Sequence, residues 1–217
     1  MARPRVHDQA TGEALLDEAL TLLRKGGPPA VSVRAVADAA GVSVRAVYAL
    51  FGSKQGLVDA LAQRGYHRLA DLVNGVEDTG DPARDLVTAG AVGFRTFALE
   101  EPALFRLTFE QVSAELLSQE QVSHAAYDSY RALRARVRRL RDAGGVHPAR
   151  SDVQCCFAFH ATGQGLASSE MASWSPPEGP GLWTPLLDVA DLRPVWEDTL
   201  TALVRGFATA PGHQPGG

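Results

Sequence analysis

The chain has 217 residues and 45% hydrophobic content, enough for one large or two small domains with real cores. A net charge of −4 excludes a protein that coats nucleic acid along its whole length. Adjacent placement of the two cysteines, Cys155 and Cys156, excludes a structural disulfide framework, and no uncharged apolar run reaches the ~18 residues of a membrane span.

Residues 1–7 carry Arg3, Pro4 and Arg5 without periodicity. A basic arm that reaches phosphates or a minor groove and a frayed terminus are equal readings of this stretch. A helix is expected from about Asp8 to Lys25, on a stripe of Leu15, Leu16, Ala19, Leu20, Leu22 and Leu23, and Gly26-Gly27-Pro28-Pro29 stops it. Ser32 then sits as an N-cap, and Val33, Val36, Ala37 and Ala40 recur at helical spacing. Gly41 follows, the residue type that enters the left-handed conformation without steric cost. Val42 plugs inward, and Ser43 caps a second helix, Val44 to Leu50, with Val47 and Phe51 on its buried side. Gly52 breaks that helix, and Ser53 caps a third that continues to about Val73 through Leu57, Leu61, Leu69 and Leu72. Helix, glycine turn and a second helix about eight residues long form a helix-turn-helix, whose second helix suits a DNA major groove.

Asp81 and Pro82 open a helix to about Leu99, and Glu101-Pro102 restarts a short one to about Phe109. A long polar-faced helix is expected over roughly Ser118 to Ala143, ended by Gly144-Gly145. Asp152 opens another, rich in small residues, to about Ser173; residues 174–190 read as a long ordered loop; a last helix spans about Leu192 to Ala208. The tail 211–217 is expected to be disordered. No strand pattern or repeat is present. Residues 1–66 hold eight Lys and Arg against six Asp and Glu. That makes a mildly basic head on an acidic body, the distribution of a DNA-reading module attached to something else.

VADAAGVSVRAVYALFGSKQGL closely resembles the DNA-binding domain of the TetR family of one-component transcriptional regulators. The resemblance rests on Val36-Ala37, Ala40-Gly41-Val42-Ser43, Tyr48, Phe51, Ser53-Lys54 and Leu57, and it covers about residues 8–70. PALFRLTF and Phe159-His160 are similar to one C-terminal class, the WHG type, without the Trp and Gly that flank its His. The implied fold is all-α: a three-helix helix-turn-helix DNA-binding domain (1–54, its core extending into the linking helix 53–73) plus a larger C-terminal helical bundle (74–210), about nine helices in all. The resemblance further implies a homodimer joined by the helices near 152–173 and 192–208, a palindromic double-stranded DNA operator, and a small ligand.

Phosphate contact is expected from Ser32 and Lys54, and from Tyr48 by its match to the family's phosphate-contacting tyrosine; Arg34 is a phosphate contact or a solvated charge. Ser43, Val44, Arg45 and Ala46 form the exposed start of the recognition helix. Arg45 is the sharpest candidate for bidentate readout of guanine, with phosphate contact as its alternative, while Val44 and Ala46 suit a thymine methyl. Phe94, Phe97, Phe105, Phe109, Tyr127, Phe157, His160 and Trp174 are candidates for an apolar ligand cavity, with plain core packing as the competing role for each. The arginines of 131–141 are expected to form a solvated face beside acidic neighbours, and the thiols of Cys155 and Cys156 to be buried and inert. No histidine stands at metal-ligand spacing, and no catalytic constellation is present, so neither cofactor nor enzymatic activity is expected. The expectation is a cytoplasmic, ligand-released repressor. Its alternative is an all-α ligand-binding or interaction protein whose helix-turn-helix does not bind DNA specifically.

Overall fold

A computed structural model describes residues 5–110, 120–173 and 191–211, and all the described secondary structure is helical. The expectations for Arg3 and Pro4, for 174–190 with Trp174, and for the tail beyond residue 211 lie outside the described residues. The chain divides into two compact units, Met1–His67 with Glu101–Ala126, and Arg68–Glu100 with Tyr127–Gly217.

The first unit is built on α1 (Arg5–Ala30), α2 (Val33–Ala40), α3 (Val44–Phe51) and the first two thirds of α4 (Lys54–Asn74). The helical path of α1 is interrupted at Gly26 and Gly27, the latter at φ 66°, which is the stop that the Gly-Gly-Pro-Pro run implies. Two eight-residue helices are too short to be stable alone. They survive here because they pack against α1 and each other, with Leu15, Ala19, Val31, Val36 and Val47 fully buried, as are Leu57 and Leu61 of α4.

That unit also takes in a segment expected in the C-terminal bundle. α7 (Pro102–Phe105) and the π-helical turn Arg106–Glu110 cluster with the head rather than with residues 74–100. The cause is a set of specific contacts. Arg24 pairs with Glu101 at 2.7 Å, and the Tyr66 hydroxyl donates to the Thr108 carbonyl at 2.9 Å. The Tyr66 ring meets Phe109 edge-on at 5.9 Å. Gly65 lets this segment lie against α4, since a Cβ there would stand 2.9 Å from Thr108 Cγ2.

The second unit holds α5 (Pro82–Thr88), the π-helical stretch Ala89–Phe94, α6 (Arg95–Glu100), most of α8 (Glu120–Asp142), α9 (Asp152–Ser173) and α10 (Arg193–Gly206). Asp81 caps α5, accepting from the Ala83 and Arg84 amides. The expected single helix from Pro82 keeps its length but widens in the middle, where Gly90 fits beneath Phe159 and Leu200, and Gly93 lies against the backbone of Leu72 and Val73. Four arginines of α8 have partners elsewhere in the unit. Arg136 donates to the Val73 carbonyl, Arg138 and Arg141 pair with Asp152, and Arg139 bridges Asp78 and Asp85. Arg131 and Arg138 nonetheless stay exposed, and Arg139 partly so, beside their acidic neighbours, as the expected solvated face.

Asp85 is the buried member of these ion pairs. The Thr79 hydroxyl and amide, with Arg139, hold its carboxyl down at about 2 against an ordinary 3.8. A depressed folded pKa contributes stability above the unfolded value and loses it as pH falls through the folded one. The thermal midpoint should therefore drop between about pH 4 and pH 2, and Asp85→Asn should be less stable at neutral pH with a flatter acid limb. An unchanged acid limb in melting curves of that variant would show that another group controls it.

Candidate functional site

The first unit presents a helix-turn-helix whose local geometry follows from its sequence. Ser32 caps α2 by accepting from the Ala35 amide at 3.1 Å, and Ser43 caps α3 by accepting from Ala46 at 3.2 Å. Gly41, at φ 67°, turns the chain between them and lets the Val42 amide close on the Ala37 carbonyl at 3.0 Å. Ser53 then caps α4 through the Gly56 amide at 2.9 Å. With these turns satisfied, only Val47 of α3 is fully buried.

The opposite face is open. Ser43, Val44, Arg45, Tyr48 and Ala49 are exposed, Tyr48 to 51%, and Ala46 is half-buried. Lys54 is exposed in the first turn of α4. Arg34 is exposed on α2 and lies 3.9 Å from Asp38, one turn on, a loose surface pair worth little. Among the described residues, neither Arg45 nor Lys54 has an ion-pair partner. A cation in the first turn of a helix opposes the helix dipole, so Lys54 is placed unfavourably for its own helix and favourably for an external anion. The eight residues singled out for DNA contact thus share one unit, six of them exposed: Arg34, Ser43, Val44, Arg45, Tyr48 and Lys54.

The candidates for a ligand cavity divide. Phe94 and His160 come together in the second unit, edge-on at 5.9 Å, and burial pushes the His160 imidazole below its ordinary value. Phe97 is fully buried in the same unit. Phe105 and Phe109 belong to the first unit, where their rings form a tilted pair at 5.3 Å. Phe157 is 73% exposed and Tyr127 55% exposed, so neither lines an interior within the chain. α9 is apolar around most of its circumference, so its sequence does not reveal which face turns inward; Cys155, Cys156 and Phe159 do, and Phe157 does not. Burial pushes the Cys156 thiol up to about 11, consistent with an inert pair.

Residues outside the candidate list complete the second unit's interior. The buried Trp196 ring lies 6.5 Å from Phe94, and its indole N–H donates to Glu170 Oε2 at 2.8 Å. Glu170 also receives a forked contact from Arg95, with Nη2 at 2.6 Å, which holds the guanidinium above its ordinary value. This node ties α6, α9 and α10 together. The hint in the sequence is an acid near the end of a helix whose other charge, Asp152, stands at its first residue.

A helix-turn-helix with an open, cation-bearing recognition helix, attached to a helical body, defines a DNA-binding transcription regulator. Residues 15–61 match the family described as "Bacterial regulatory proteins, tetR family", and residues 87–190 match the "Tetracyclin repressor-like, C-terminal domain". The chain belongs to the TetR family. It is similar to a Rhodococcus sp. RHA1 protein of unknown function, with 24% identity, 92% of this chain and 96% of that one covered, and a TM-score of 0.75. A tetR-family regulatory protein from Rhodococcus RHA1 shares 16% identity over 93% and 98%, with a TM-score of 0.64. The TetR family transcriptional regulator PfmR from Thermus thermophilus shares 21% over 88% and 97%, with a TM-score of 0.61. At these identities the likeness is one of fold. No curated protein matches the chain.

Ser32 separates structural from binding roles. Asp caps a helix as well as Ser does, whereas Ala costs about 1 kcal/mol. Ser32→Asp should hold the melting temperature close to wild type yet weaken DNA binding by repelling a phosphate, while Ser32→Ala should lower the melting temperature. Undiminished DNA binding by Ser32→Asp, in the same anisotropy titration as wild type, would remove Ser32 from the interface.

Proposed function

We propose that this protein is a homodimeric transcriptional repressor that binds a palindromic operator and is released by a small apolar ligand. The observation that carries the reading is the recognition helix α3, whose outward face offers Arg45, Val44 and Tyr48 with no intramolecular use for the cation among the described residues. Phosphates would be held by Ser32, Tyr48 and Lys54, with Arg34 beside them, and bases read by Arg45, with Val44 and Ala46 against thymine methyls. Two copies would join through α9 and α10, presenting two recognition helices to half-sites about 34–36 Å apart. The ligand would enter the second unit around Phe94 and His160.

Release would work by population shift. α4 carries Leu57 and Leu61 in the core of the first unit, and its last turn belongs to the second, where Arg136 holds the Val73 carbonyl at 2.6 Å. A ligand that prefers a displaced last turn would favour dimers whose recognition helices no longer match the half-site spacing.

The test is a gel-shift titration on the intergenic DNA upstream of the gene. Retardation that weakens steeply with salt is expected, because several phosphate contacts release counterions. Arg45→Ala should cost about 1–3 kcal/mol on the best site and much less on random DNA. No retardation by micromolar protein at low salt would sink the reading, and equal losses on both DNAs would reduce Arg45 to a phosphate contact.

A further inference from the structure

α3 has the sequence VRAVYALF, and Val47 is its buried residue. At about 100° per residue, Arg45 and Ala49 fall opposite Val47, roughly 160° and 200° around the helix from it. Tyr48 lies on one flank of that pair and Ala46 on the other. Val44, Arg45, Tyr48 and Ala49 are exposed, and Ala46 is half-buried. The centre of the outward face is therefore one guanidinium set among short aliphatic side chains. Ser43, ahead of the helix, has its oxygen engaged as the cap on the Ala46 amide. Tyr48 carries the other polar group of the face, the hydroxyl assigned above to phosphate.

Such a face can read few features of a base pair. Adenine is recognised at N6 and N7 by Asn or Gln, and the cytosine amino group by Asp or Glu. None of those four residue types occurs in α3. A guanidinium pairs with guanine O6 and N7, whereas an aliphatic side chain gains from the methyl that thymine carries at C5. Cytosine methylated at C5 presents the same methyl at the same place in the major groove. Its pair with guanine differs from the thymine–adenine pair in amino and carbonyl groups, which aliphatic side chains do not bind.

We propose that α3 reads guanine edges and C5-methyl groups, so that 5-methylcytosine substitutes for thymine in the operator and binding responds to cytosine methylation. The proposal rests on the DNA-binding reading above and adds the chemical class of base that the site selects. Arg45 takes the guanine, and Val44, Ala46 and Ala49 supply apolar surface for the methyls. The short side chains at 46 and 49 also let the helix come close to the base edges.

Duplexes selected from a random library by the wild-type protein supply the best site for the test. Replacing one thymine per half-site with deoxyuridine removes a methyl and no hydrogen-bonding group. Burial of a methyl contributes about fourfold, so losing one from each half-site should weaken binding about fifteenfold at the thymines that α3 contacts. Cytosine at the same positions should cost at least as much. 5-Methylcytosine there should return affinity to within about twofold of thymine. Val44→Ser, at an exposed position, should keep the melting temperature and lose the discrimination of thymine from deoxyuridine at one of those positions. Deoxyuridine tolerated at every thymine, or 5-methylcytosine no better than cytosine, overturns methyl reading and leaves specific DNA binding standing. Failure to select any sequence overturns the DNA-binding reading as well.

Discussion

The DNA-facing part of this protein depends on a constraint of length. An α-helix of eight residues is about 12 Å long and does not persist alone in water. α2 and α3 are both that short. Their exposed sides must stay free for a partner, so each has only a narrow inner stripe to bury: Val33, Val36 and Ala37 on one, Val47 on the other. Everything else in the first unit compensates. Ser32, Ser43 and Ser53 satisfy the helix starts, Gly41 and Gly52 take positive φ at the helix ends, and α1 and α4 supply the larger side chains of the core. The segment 101–110 extends that compensation, bringing Leu104 and Phe105 under cover and tying Tyr66 through a hydrogen bond to a carbonyl in a π-helical turn.

These features differ in how far the sequence discloses them. Caps, glycine turns and the break at Gly26-Gly27 act between residues two to five apart, so they are readable in order, and the head was legible almost residue by residue. The placement of Phe105 and Phe109 was not. Nothing local to PALFRLTF says whether its apolar residues turn toward the helix before or the helix far upstream; only contacts such as Arg24 to Glu101, 77 residues apart, decide it. Phe157 failed for a different reason. Periodicity tells inside from outside only where one side of a helix is polar. α9 has apolar or small residues on nearly every side, and its phase appears only once Cys155, Cys156 and Phe159 are seen to point inward. Buried ionic contacts were equally invisible, because the partners of Glu170 lie 75 and 26 residues away.

Charge is handled in opposite ways in the two units. In the second, arginines are consumed: Arg95, Arg136, Arg138, Arg139 and Arg141 all meet carboxylates or carbonyls of the same unit. Their large number therefore contributes little to any long-range positive field, in keeping with the overall charge of −4. In the first unit Arg45 and Lys54 stay exposed, though they are far fewer. The number of cations is thus a poor guide to nucleic-acid binding, and the number left without an internal partner is a better one. By that measure the head's surplus of two understates it, since Arg95, Arg138, Arg139 and Arg141 of the body are paired with carboxylates.

The buried node at Glu170 shows why the second unit can hold one arrangement of helices firmly. A carboxylate so deeply buried is tolerable only when its lone pairs are filled, and here Arg95 supplies a forked pair of donors while Trp196 supplies a third. Each donor comes from a different helix, so a displacement of α6, α9 or α10 leaves a buried charge short of partners. Motion within this unit is therefore costly wherever it crosses the node. Phe94 meets both the His160 ring, edge-on at 5.9 Å, and the Trp196 ring of the node. Gly93 in turn lies against the backbone of Leu72 and Val73, the end of the helix whose earlier turns build the head.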